Sequence, residues 1–347
     1  MLPYLSNQAP WFVFLIHARD VEDLYQVGGS AFIAEHSADE DEFRDKMCTM
    51  PPTVMGQITF GQGLATGELI GVVRMPGQLL RPEGRQQIAE AVRVAATRGA
   101  RVIGLGALTA PATKGGLTLL PELPRGVTLT TGNALTAAVA VDNAAEAAKA
   151  IGLAGAARVA VVGCHGSVGT AASRLLAANG TDLLLVGRTV ARVERHLPDL
   201  VSRARISADL RDLMTADVVL ILTSDSSALM SPDLLREGSV VIDLAHPMNI
   251  PRARYQDFWD RGIAVAQGGL VEIPGYRSTV DFRLPSRRAA LACLAETYLF
   301  SREGITEHSV GPASAELAAE LAQIAAGYGV RPWPLGLETL VPSGSGT

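Results

Sequence analysis

Short apolar runs alternate with amphipathic stretches along the chain, and this alternation predicts an α/β protein. In the first third, apolar runs of strand length precede an amphipathic stretch from Pro82 to Arg98, and a further apolar run, RVIGLGALT, follows it. Proline is typical of a helix start and Gly99 of a helix end, so the stretch predicts one helix. We expect an N-terminal α/β substrate domain over residues 1–132.

An alanine-rich stretch follows, and it predicts a helix that links two domains. Thr131, Gly132 and Asn133 precede it, and threonine and asparagine side chains can cap the start of a helix. We expect this bridging helix over residues 133–151.

The next part of the chain predicts a parallel, doubly wound sheet of the Rossmann type over residues 152–275. Its apolar runs alternate with helical or linking segments, in the order RVAVVG, DLLLVG, ARISA, DVVLILTS, SVVIDLA and IAVAQGG. Residues 276–347 are predicted to form a C-terminal helical segment. LPSRRAALACLAETYLFSREG and SAELAAELAQIAAGYG both carry helical patterns that end in glycine.

Composition and charge exclude several classes of protein. The chain has 347 residues, 48% of them hydrophobic, and a formal charge of −5, which favours sizeable cores and disfavours binding to nucleic acid or an anionic membrane. Its three cysteines, Cys48, Cys164 and Cys293, lie far apart. They predict neither a metal site nor a disulfide framework, and they favour a reducing cytoplasm. No apolar run predicts a transmembrane helix.

The segment VAVVGCHGSVGTAASRLLAANGTDLLLVGRT has the order of a dinucleotide-binding loop, because its glycines lie between a predicted strand and a predicted helix. Such a loop needs a tight turn, close approach of the backbone to a pyrophosphate, and a helix N-terminus directed at it. A glycine turn without a ligand is the alternative. The residues expected to bind the cofactor are Gly163, Cys164, His165, Gly166, Ser167, Val168 and Gly169.

The end of the second Rossmann strand favours NADPH over NADH. Sheets that bind NAD place an acidic residue there, whereas this chain has Gly187, Arg188 and Thr189, and Arg192 follows one turn later. An arginine can neutralise the 2′-phosphate, which an acidic side chain would repel. Two surface arginines at a helix start are the alternative.

The carboxyl ends of the later strands are the expected place of the nicotinamide. They carry Thr223, Ser224, Gly268 and Gly269, whose small size allows close approach to the backbone. His246 follows one of these strands and is a candidate proton donor beside the site of hydride transfer. A histidine that is simply hydrogen-bonded at a strand end is the alternative.

Cys293 lies in the predicted helix AALACLAETY, and these residues alone favour core packing over chemistry. Arg287 and Arg288 lie upstream, off the helical face of the cysteine. Glu296, one turn later, would raise the pKa of the thiol if it faced it. Activation of the thiol would therefore have to come from across the domain interface.

Eight segments in chain order resemble the long-chain acyl-(acyl-carrier-protein) reductases of cyanobacteria. They are FLIHARDVEDL, GELIGVVRMPGQLL, GLGALTA, LTTGNALTAA, VAVVGCHGSVGTA, VVIDLAHPMN, VAQGGLVEIPG and RRAALACLAET. TTGNALTA and RRAALACLAET are the more specific. The resemblance implies reduction of an acyl thioester to an aldehyde with NADPH. His246 stands where the family has a tyrosine-like residue, and the acyl pocket is not identified, so the resemblance supports thioester reduction better than long acyl chains.

The same resemblance implies that Cys293 is the nucleophile. It would attack the thioester carbonyl and release the carrier thiol, and the acyl-cysteine would then be reduced to the aldehyde. Thr131, Gly132 and Asn133 would stabilise the oxyanion because they precede a helix start. The expected partners are an acyl carrier protein or a coenzyme A thioester and, downstream, an enzyme that consumes the aldehyde.

An acidic acyl carrier protein would need a local basic surface on this acidic chain. Residues 252–288 carry seven arginines and four carboxylates. We expect docking beside Arg283, Arg287 and Arg288, for which an ordinary solvated helix start is the alternative.

Two other functions fit the same pattern. An NADP-dependent dehydrogenase of a small hydroxy or keto acid, of the shikimate dehydrogenase kind, shares the N-terminal α/β domain, the bridging helix and the Rossmann order. It would not need Cys293. A non-catalytic NADP-binding sensor would keep the nucleotide cleft and place this cysteine in the core.

Overall fold

A computed structural model describes residues 12–61, 66–223 and 230–337 of the chain. The strands are β1 (Phe12–His17), β2 (Thr53–Phe60), β3 (Thr66–Val72), β4 (Val102–Leu105), β5 (Thr128–Thr130), β6 (Arg158–Val162), β7 (Asp182–Val186), β8 (Arg205–Ser207), β9 (Val218–Ile221), β10 (Val240–Asp243), β11 (Ala264–Gln267), β12 (Leu270–Glu272), β13 (Tyr276–Ser278), β14 (Ala289–Leu291) and β15 (Arg331–Pro332).

The helices lie between these strands and after them. They are α1 (Val21–Leu24), α2 (Ser30–Glu35), α3 (Glu40–Met47), α4 (Pro76–Leu79), α5 (Pro82–Thr97), α6 (Thr109–Ala112), α7 (Asn133–Ala150), α8 (Ser167–Ala178), α9 (Val190–His196), α10 (Tyr255–Trp259), α11 (Ala292–Glu303) and α12 (Ala315–Gly327). Short 3₁₀ helices cover Leu117–Glu122, Pro198–Leu200, Leu210–Thr215, Pro232–Leu234 and Arg252–Arg254. The expected α/β class is confirmed.

The chain divides into two compact units. The first holds the described residues up to Gly132 together with Val271–Gly311 and Ile324–Arg331. The second holds Asn133–Leu270, Pro312–Gln323 and the described residues from Pro332 on.

The first unit is built on a six-stranded sheet of order β13-β2-β3-β1-β4-β5. Strands β3, β1, β4 and β5 run parallel, so their carboxyl ends meet at one edge of the sheet. Leu15 of β1 and Ile103 of β4 are fully buried, and Ile88 of α5 belongs to the same apolar cluster. This core packs helix α5 against the sheet.

The second unit is built on a fully parallel sheet of order β11-β10-β9-β6-β7-β8. The chain moves outward from β6 to one side and then restarts on the other side at β9, which is the order of a doubly wound Rossmann sheet. Apart from the short edge strand β8, its strands are mostly buried apolar runs, as expected where helices cover a parallel sheet. Ligands of such sheets bind outside the carboxyl ends of the strands, at the point where the order reverses.

The segment after residue 275 differs from the helical pattern predicted for it. Residues Tyr276–Ser278 pair with β2, and Ala289–Leu291 form strand β14 in a small sheet of order β14-β12-β15. Helix α11 therefore begins only at Ala292. Within the described ranges, no helix has both the length and the apolar character needed to cross a membrane.

Candidate active site

Cys293 is the second residue of α11, and this helix follows β14 directly. The first N–H groups of a helix have no carbonyl partner within it, and together they favour negative charge at that end. The backbone N–H groups of Leu294, Cys293 and Ala107 all stabilise the charged form of the thiol. The sequence analysis missed this local source of activation because it placed the helix start several residues earlier.

Other features of the site oppose ionisation of the thiol. Cys293 is half-buried, and its burial together with the charge of Glu296 raises the pKa of the thiol to about 12. The predicted effect of Glu296 is thereby confirmed. At neutral pH Cys293 is a thiol, so its attack on a carbonyl must be coupled to loss of the sulfur-bound proton.

Gly132 brings the end of β5 against Cys293. A β-carbon at position 132 would stand 2.2 Å from the Cβ of Cys293 and 2.8 Å from its carbonyl oxygen. The φ of Gly132 is +72°, which a residue with a side chain rarely adopts. Its N–H donates to the Oγ1 of Thr130 at 3.1 Å. Close approach and backbone conformation therefore both require glycine here.

A buried carboxylate joins the same two elements. The hydroxyl of Thr130 donates to the Oε1 of Glu296 at 2.5 Å, and the side chain of Glu296 is fully buried. The neighbouring N–H of Thr131 donates to the carbonyl of Ser309 at 2.9 Å. Of the three residues expected to stabilise an oxyanion, Gly132 lies against Cys293. The N–H of Thr131 is already used in its hydrogen bond to Ser309.

The loop after β4 presents Ala107 to the thiol. Ala107 has a φ of +47°, which is uncommon for a residue with a β-carbon. The next residue is held by a buried histidine, because the N–H of Leu108 donates to the Nε2 of His17 at 3.2 Å. The Nδ1 of the same ring donates to the carbonyl of Ala18 at 2.8 Å.

Burial lowers the pKa of His17 to about 4, so the ring is neutral and can accept the hydrogen bond from Leu108. The sequence analysis missed both His17 and Ala107. The signal that could have found them is the GLGALT segment, in which Ala107 lies between a strand and a helix start.

In the second unit, the three glycines of the predicted cofactor loop have distinct geometries. Gly163 turns the chain after β6 with a φ of +84°, and Gly166 precedes the first residue of α8. A β-carbon on Gly169 would stand 2.3 Å from the carbonyl oxygen of Gly163, so the helix can pack this closely only with glycine there. This geometry can hold the pyrophosphate of a dinucleotide at the N-terminus of α8.

Two other residues of the loop are committed to contacts within the protein. Cys164 is fully buried, with its Sγ 3.4 Å from the carbonyl of Val186, and burial raises its pKa to about 12. Only the backbone of Cys164 can therefore meet a cofactor. The Oγ of Ser167 accepts hydrogen bonds from the Nδ2 of Asn133 at 3.0 Å and from the N–H of Ala313 at 2.9 Å.

The end of β7 carries exposed basic side chains. Arg188 and Arg192 are both exposed. The side chain of Thr189 caps α9 by accepting the N–H of Arg192 at 3.3 Å. These side chains can meet a phosphate group that lies beside the strand end.

The other predicted strand-end residues also lie at the carboxyl edge of this sheet. The N–H of Gly269 donates to the Oδ1 of Asn143, a fully buried residue of α7, at 3.1 Å. A β-carbon on Gly268 would stand 3.0 Å from the same oxygen. The carbonyl of Thr223 accepts a hydrogen bond from Asn249 at 2.9 Å, and Ser224 lies outside the described residues. The sequence analysis did not identify Asn143, since its alanine-rich helix carries no motif.

His246 is half-buried after β10, and its peptide bond to Pro247 is cis. The preceding Asp243 is fully buried and accepts the N–H groups of Ala245 at 3.0 Å and Ile250 at 2.8 Å, which fixes the loop around His246. Burial raises the pKa of Asp243 to about 6, while these hydrogen bonds lower it. No group of three His, Cys, Asp or Glu residues in the described ranges is arranged to hold a metal ion.

Comparison with known proteins does not establish a family. No protein-family model matches the chain. It is 28% identical over 251 residues to aminotransferase PigE of a Serratia species, which covers 68% of this chain but 28% of that protein. The chain thus spans a little over a quarter of that relative's length.

Solved structures give weaker matches. The D-isomer specific 2-hydroxyacid dehydrogenase of Lactobacillus delbrueckii ssp. bulgaricus, in its NAD-complexed form, matches with 13% identity and a TM-score of 0.34, covering 74% of this chain and 79% of that one. D-lactate dehydrogenase with NAD⁺ from Lactobacillus jensenii matches with 11% identity and a TM-score of 0.32, covering 91% and 97%. Scores this low carry no argument about function.

Proposed function

We propose that this protein is an oxidoreductase that reduces an acyl thioester to an aldehyde with NADPH, through an acyl group held on Cys293. The observation that carries the proposal is the place of Cys293 at the second position of a twelve-residue helix, packed against Gly132 and within hydrogen-bond reach of the backbone N–H groups of Leu294 and Ala107. The resemblance to acyl-(acyl-carrier-protein) reductases supports the same assignment.

The first step forms a bond between the sulfur of Cys293 and the carbonyl carbon of the thioester. The bond from that carbon to the carrier sulfur breaks, and the carrier thiol leaves with the proton that Cys293 gives up. The high pKa of Cys293 keeps the sulfur protonated until a thioester arrives. The N–H groups of Leu294 and Ala107 then stabilise negative charge as it develops on the sulfur.

The same groups assist release of the aldehyde. The bond between the acyl carbon and the sulfur of Cys293 breaks, the sulfur leaves as a thiolate that the helix N-terminus stabilises, and it then recovers a proton. The overall reaction consumes one thioester, one NADPH and one proton, and it yields an aldehyde, a thiol and NADP⁺.

The residues of the second unit fit a dinucleotide. The left-handed turn at Gly163, the close approach of Gly169 and the start of α8 at Ser167 would hold the pyrophosphate, and Arg188 and Arg192 would meet a 2′-phosphate. When bound, NADPH supplies the hydride for the reduction. The roles of His246, Gly268 and Gly269 beside the nicotinamide remain predictions.

The similarity to an aminotransferase suggests which enzyme could consume the product. It does not suggest that this chain catalyses transamination. Aminotransferases hold pyridoxal phosphate as a Schiff base on a lysine. The lysines of this chain are Lys46, which pairs with Glu42 at 2.8 Å, and the exposed Lys114 and Lys149. No role in the candidate site is assigned to any of them. An aldehyde is nevertheless a carbonyl that an aminotransferase can convert to an amine, so such an enzyme is a suitable downstream consumer.

A steady-state assay tests the proposal. The full chain is supplied with NADPH and, in separate reactions, an acyl coenzyme A, the matching acyl carrier protein thioester and shikimate with NADP⁺. We expect oxidation of NADPH and an aldehyde with either thioester, and no reaction with shikimate. Reaction with the hydroxy acid alone would indicate a dehydrogenase, and nucleotide binding without any turnover would indicate a sensor.

A further inference from the structure

His165 packs against the strand end that distinguishes NAD from NADP. A β-carbon on Gly187 would stand 3.2 Å from the Nδ1 of His165. Position 187 follows β7, where sheets that bind NAD carry the acidic side chain that holds the ribose hydroxyls. In this chain that side chain is missing, and the ring of His165, from the neighbouring glycine loop, lies against the backbone instead.

One nitrogen of this ring has no hydrogen-bond partner among the residues that the structure describes. The Nδ1 of His165 is buried, although the residue as a whole is half-buried. A ring held by hydrogen bonds on both nitrogens, like that of His17, is explained by the fold alone. The described residues give the Nδ1 of His165 no such bond, so this nitrogen can take a partner from a ligand.

Within the described part of the chain, the charged groups that act on His165 are all basic. Burial lowers the pKa of His165, and the charges of Arg192, His196 and Arg188 lower it further. Arg188 follows β7, and Arg192 and His196 lie on α9, with the centroids of the two histidine rings 6.0 Å apart. A histidine in this setting is neutral at pH 7. A multivalent anion placed among these groups would favour the protonated ring instead.

We propose that His165 completes the 2′-phosphate site with Arg188 and Arg192, and that its imidazole takes up a proton when this phosphate binds. The inference rests on the NADPH site of the proposed function. Two arginines and an imidazolium can each donate to a phosphate oxygen. A nucleotide without the 2′-phosphate places no anion beside the imidazole of His165. We therefore expect this proton uptake with NADP and not with NAD.

The direction of the pH dependence follows from linkage. Since His165 is more readily protonated in the complex than in the free protein, NADP⁺ binds more tightly as the pH falls from about 8 towards 6. The phosphate has a pKa of about 6 of its own, and arginines that hold it as a dianion make binding release protons in acid. A variant that lacks only the imidazole separates the two effects, since it keeps the phosphate and both arginines.

Titration calorimetry of the full chain tests the inference. NADP⁺ and NAD⁺ are titrated at pH 6.5 in two buffers of different ionisation enthalpy, which gives the number of protons taken up per nucleotide bound. The proteins are wild type, His165→Asn and a matched control, His36→Asn. His36 is exposed, its ring is hydrogen-bonded to the carbonyl of Phe32 at 2.9 Å, and it belongs to the other compact unit. Melting curves establish that both variants fold.

We expect wild type to take up about half a proton more per NADP⁺ than His165→Asn does, and the control to behave like wild type. His165→Asn should weaken NADP⁺ about tenfold at pH 6 but no more than about threefold at pH 8.5. Its affinity for NAD⁺ should stay within about twofold of wild type.

Three results would overturn the inference and leave thioester reduction standing. These are equal proton uptake in wild type and His165→Asn, the same loss of uptake in the His36→Asn control, and equal weakening of NAD⁺ and NADP⁺ by His165→Asn. The last would show that His165 only shapes the glycine loop. Failure of the wild type to bind either nucleotide would overturn both this inference and the proposed function.

Discussion

The backbone of Gly132 and the side chain of Cys293 occupy one tightly packed space, in which a β-carbon at position 132 would stand 2.2 Å from the Cβ of Cys293. Gly132 ends the loop after β5, and Cys293 begins α11, so this contact sets where the sulfur lies relative to the sheet edge. The geometry of the candidate nucleophile therefore depends on a residue 161 positions away in the sequence.

Substitution of Gly132 tests this dependence against a matched glycine. Gly126 also has a positive φ, +79°, but a β-carbon there would meet nothing within 4 Å. We expect Gly126→Ala to lower the free energy of unfolding by about 1 kcal/mol through its backbone conformation alone. Gly132→Ala adds a steric clash, so we expect a loss of at least about 2 kcal/mol.

Chemical denaturation measures both losses, and peptide mapping after alkylation with iodoacetamide follows the exposure of Cys293 in the two variants. We expect the alkylation rate of Cys293 to change in Gly132→Ala and to stay at the wild-type value in Gly126→Ala. Equal stability losses with an unchanged alkylation rate would show that the contact does not position the sulfur.

Arg188→Asp tests the preference for NADPH. Loss of a charge-assisted contact, and repulsion in its place, should cost about 1.5 to 3 kcal/mol in the affinity for NADPH relative to NADH, which is at least about tenfold. Arg195→Asp, an exposed arginine on α9, changes the net charge equally and serves as the control. Direct binding assays give both affinities. An equal effect of the two substitutions would indicate a general charge effect rather than a phosphate contact.

The three arginines expected to dock an acyl carrier protein are paired with carboxylates. Arg283 binds Asp20 at 2.6 Å and Glu22 at 2.5 Å, and its side chain is 28% exposed. Arg287 pairs with Asp281 and Arg288 with Glu272, but their side chains are 71% and 75% exposed. These pairs make Arg283 a structural residue and leave the other two accessible to a partner.

We therefore expect Arg283→Ala to lower the melting temperature, because it removes a cation from the buried Asp23, 3.0 Å away, as well as from the exposed Asp20 and Glu22. We expect Arg287→Glu combined with Arg288→Glu to raise KM for the acyl carrier protein thioester severalfold while KM for the matching acyl coenzyme A stays the same. KM for the protein substrate should also rise with salt. Parallel changes in both KM values would mean that these arginines act on the active site or the fold.

The buried ring of His17 makes the free energy of unfolding depend on pH. Its pKa in the folded protein is about 4, against an ordinary value of 6.5, so the unfolded chain takes up this proton first as the pH falls. The contribution of the neutral His17 ring to the free energy of unfolding is complete above pH 6.5 and is lost towards pH 4. A buried ring with this shift in pKa contributes about 3 kcal/mol.

His17→Gln keeps an acceptor for the N–H of Leu108 but does not titrate. The difference in unfolding free energy between wild type and His17→Gln should therefore move by about 3 kcal/mol between pH 7 and pH 4, against wild type at the acid end. His36→Gln, at an exposed position, is the control. A difference that stays constant over this range would contradict the assignment of a neutral buried ring.

Local patterns predicted the parts of this structure that neighbouring residues determine. The glycine loop was predictable because Gly163, Gly166 and Gly169 act within one strand-turn-helix unit. The order of the second sheet was predictable in the same way, since each buried strand is an apolar run next to a helical pattern.

Pairing between distant segments could not be predicted from such patterns. Strand β14 has three residues inside an alanine-rich stretch, and it exists because it pairs with β12, so the true start of the helix at Ala292 was hidden. His17 meets the loop after β4 only because β1 lies beside β4 in the sheet. The surroundings of Cys293 were therefore beyond local sequence analysis, although the cysteine itself was identified by resemblance.

Intact mass spectrometry tests the central claim most directly. The protein is mixed with an acyl coenzyme A in the absence of NADPH, and the adduct is located by peptide mapping among Cys48, Cys164 and Cys293. The account predicts one acyl group on Cys293, no adduct on Cys293→Ala, and loss of the adduct with formation of aldehyde when NADPH is added. Aldehyde formation by Cys293→Ala at a near wild-type rate, without any acyl adduct on the wild type, would contradict it.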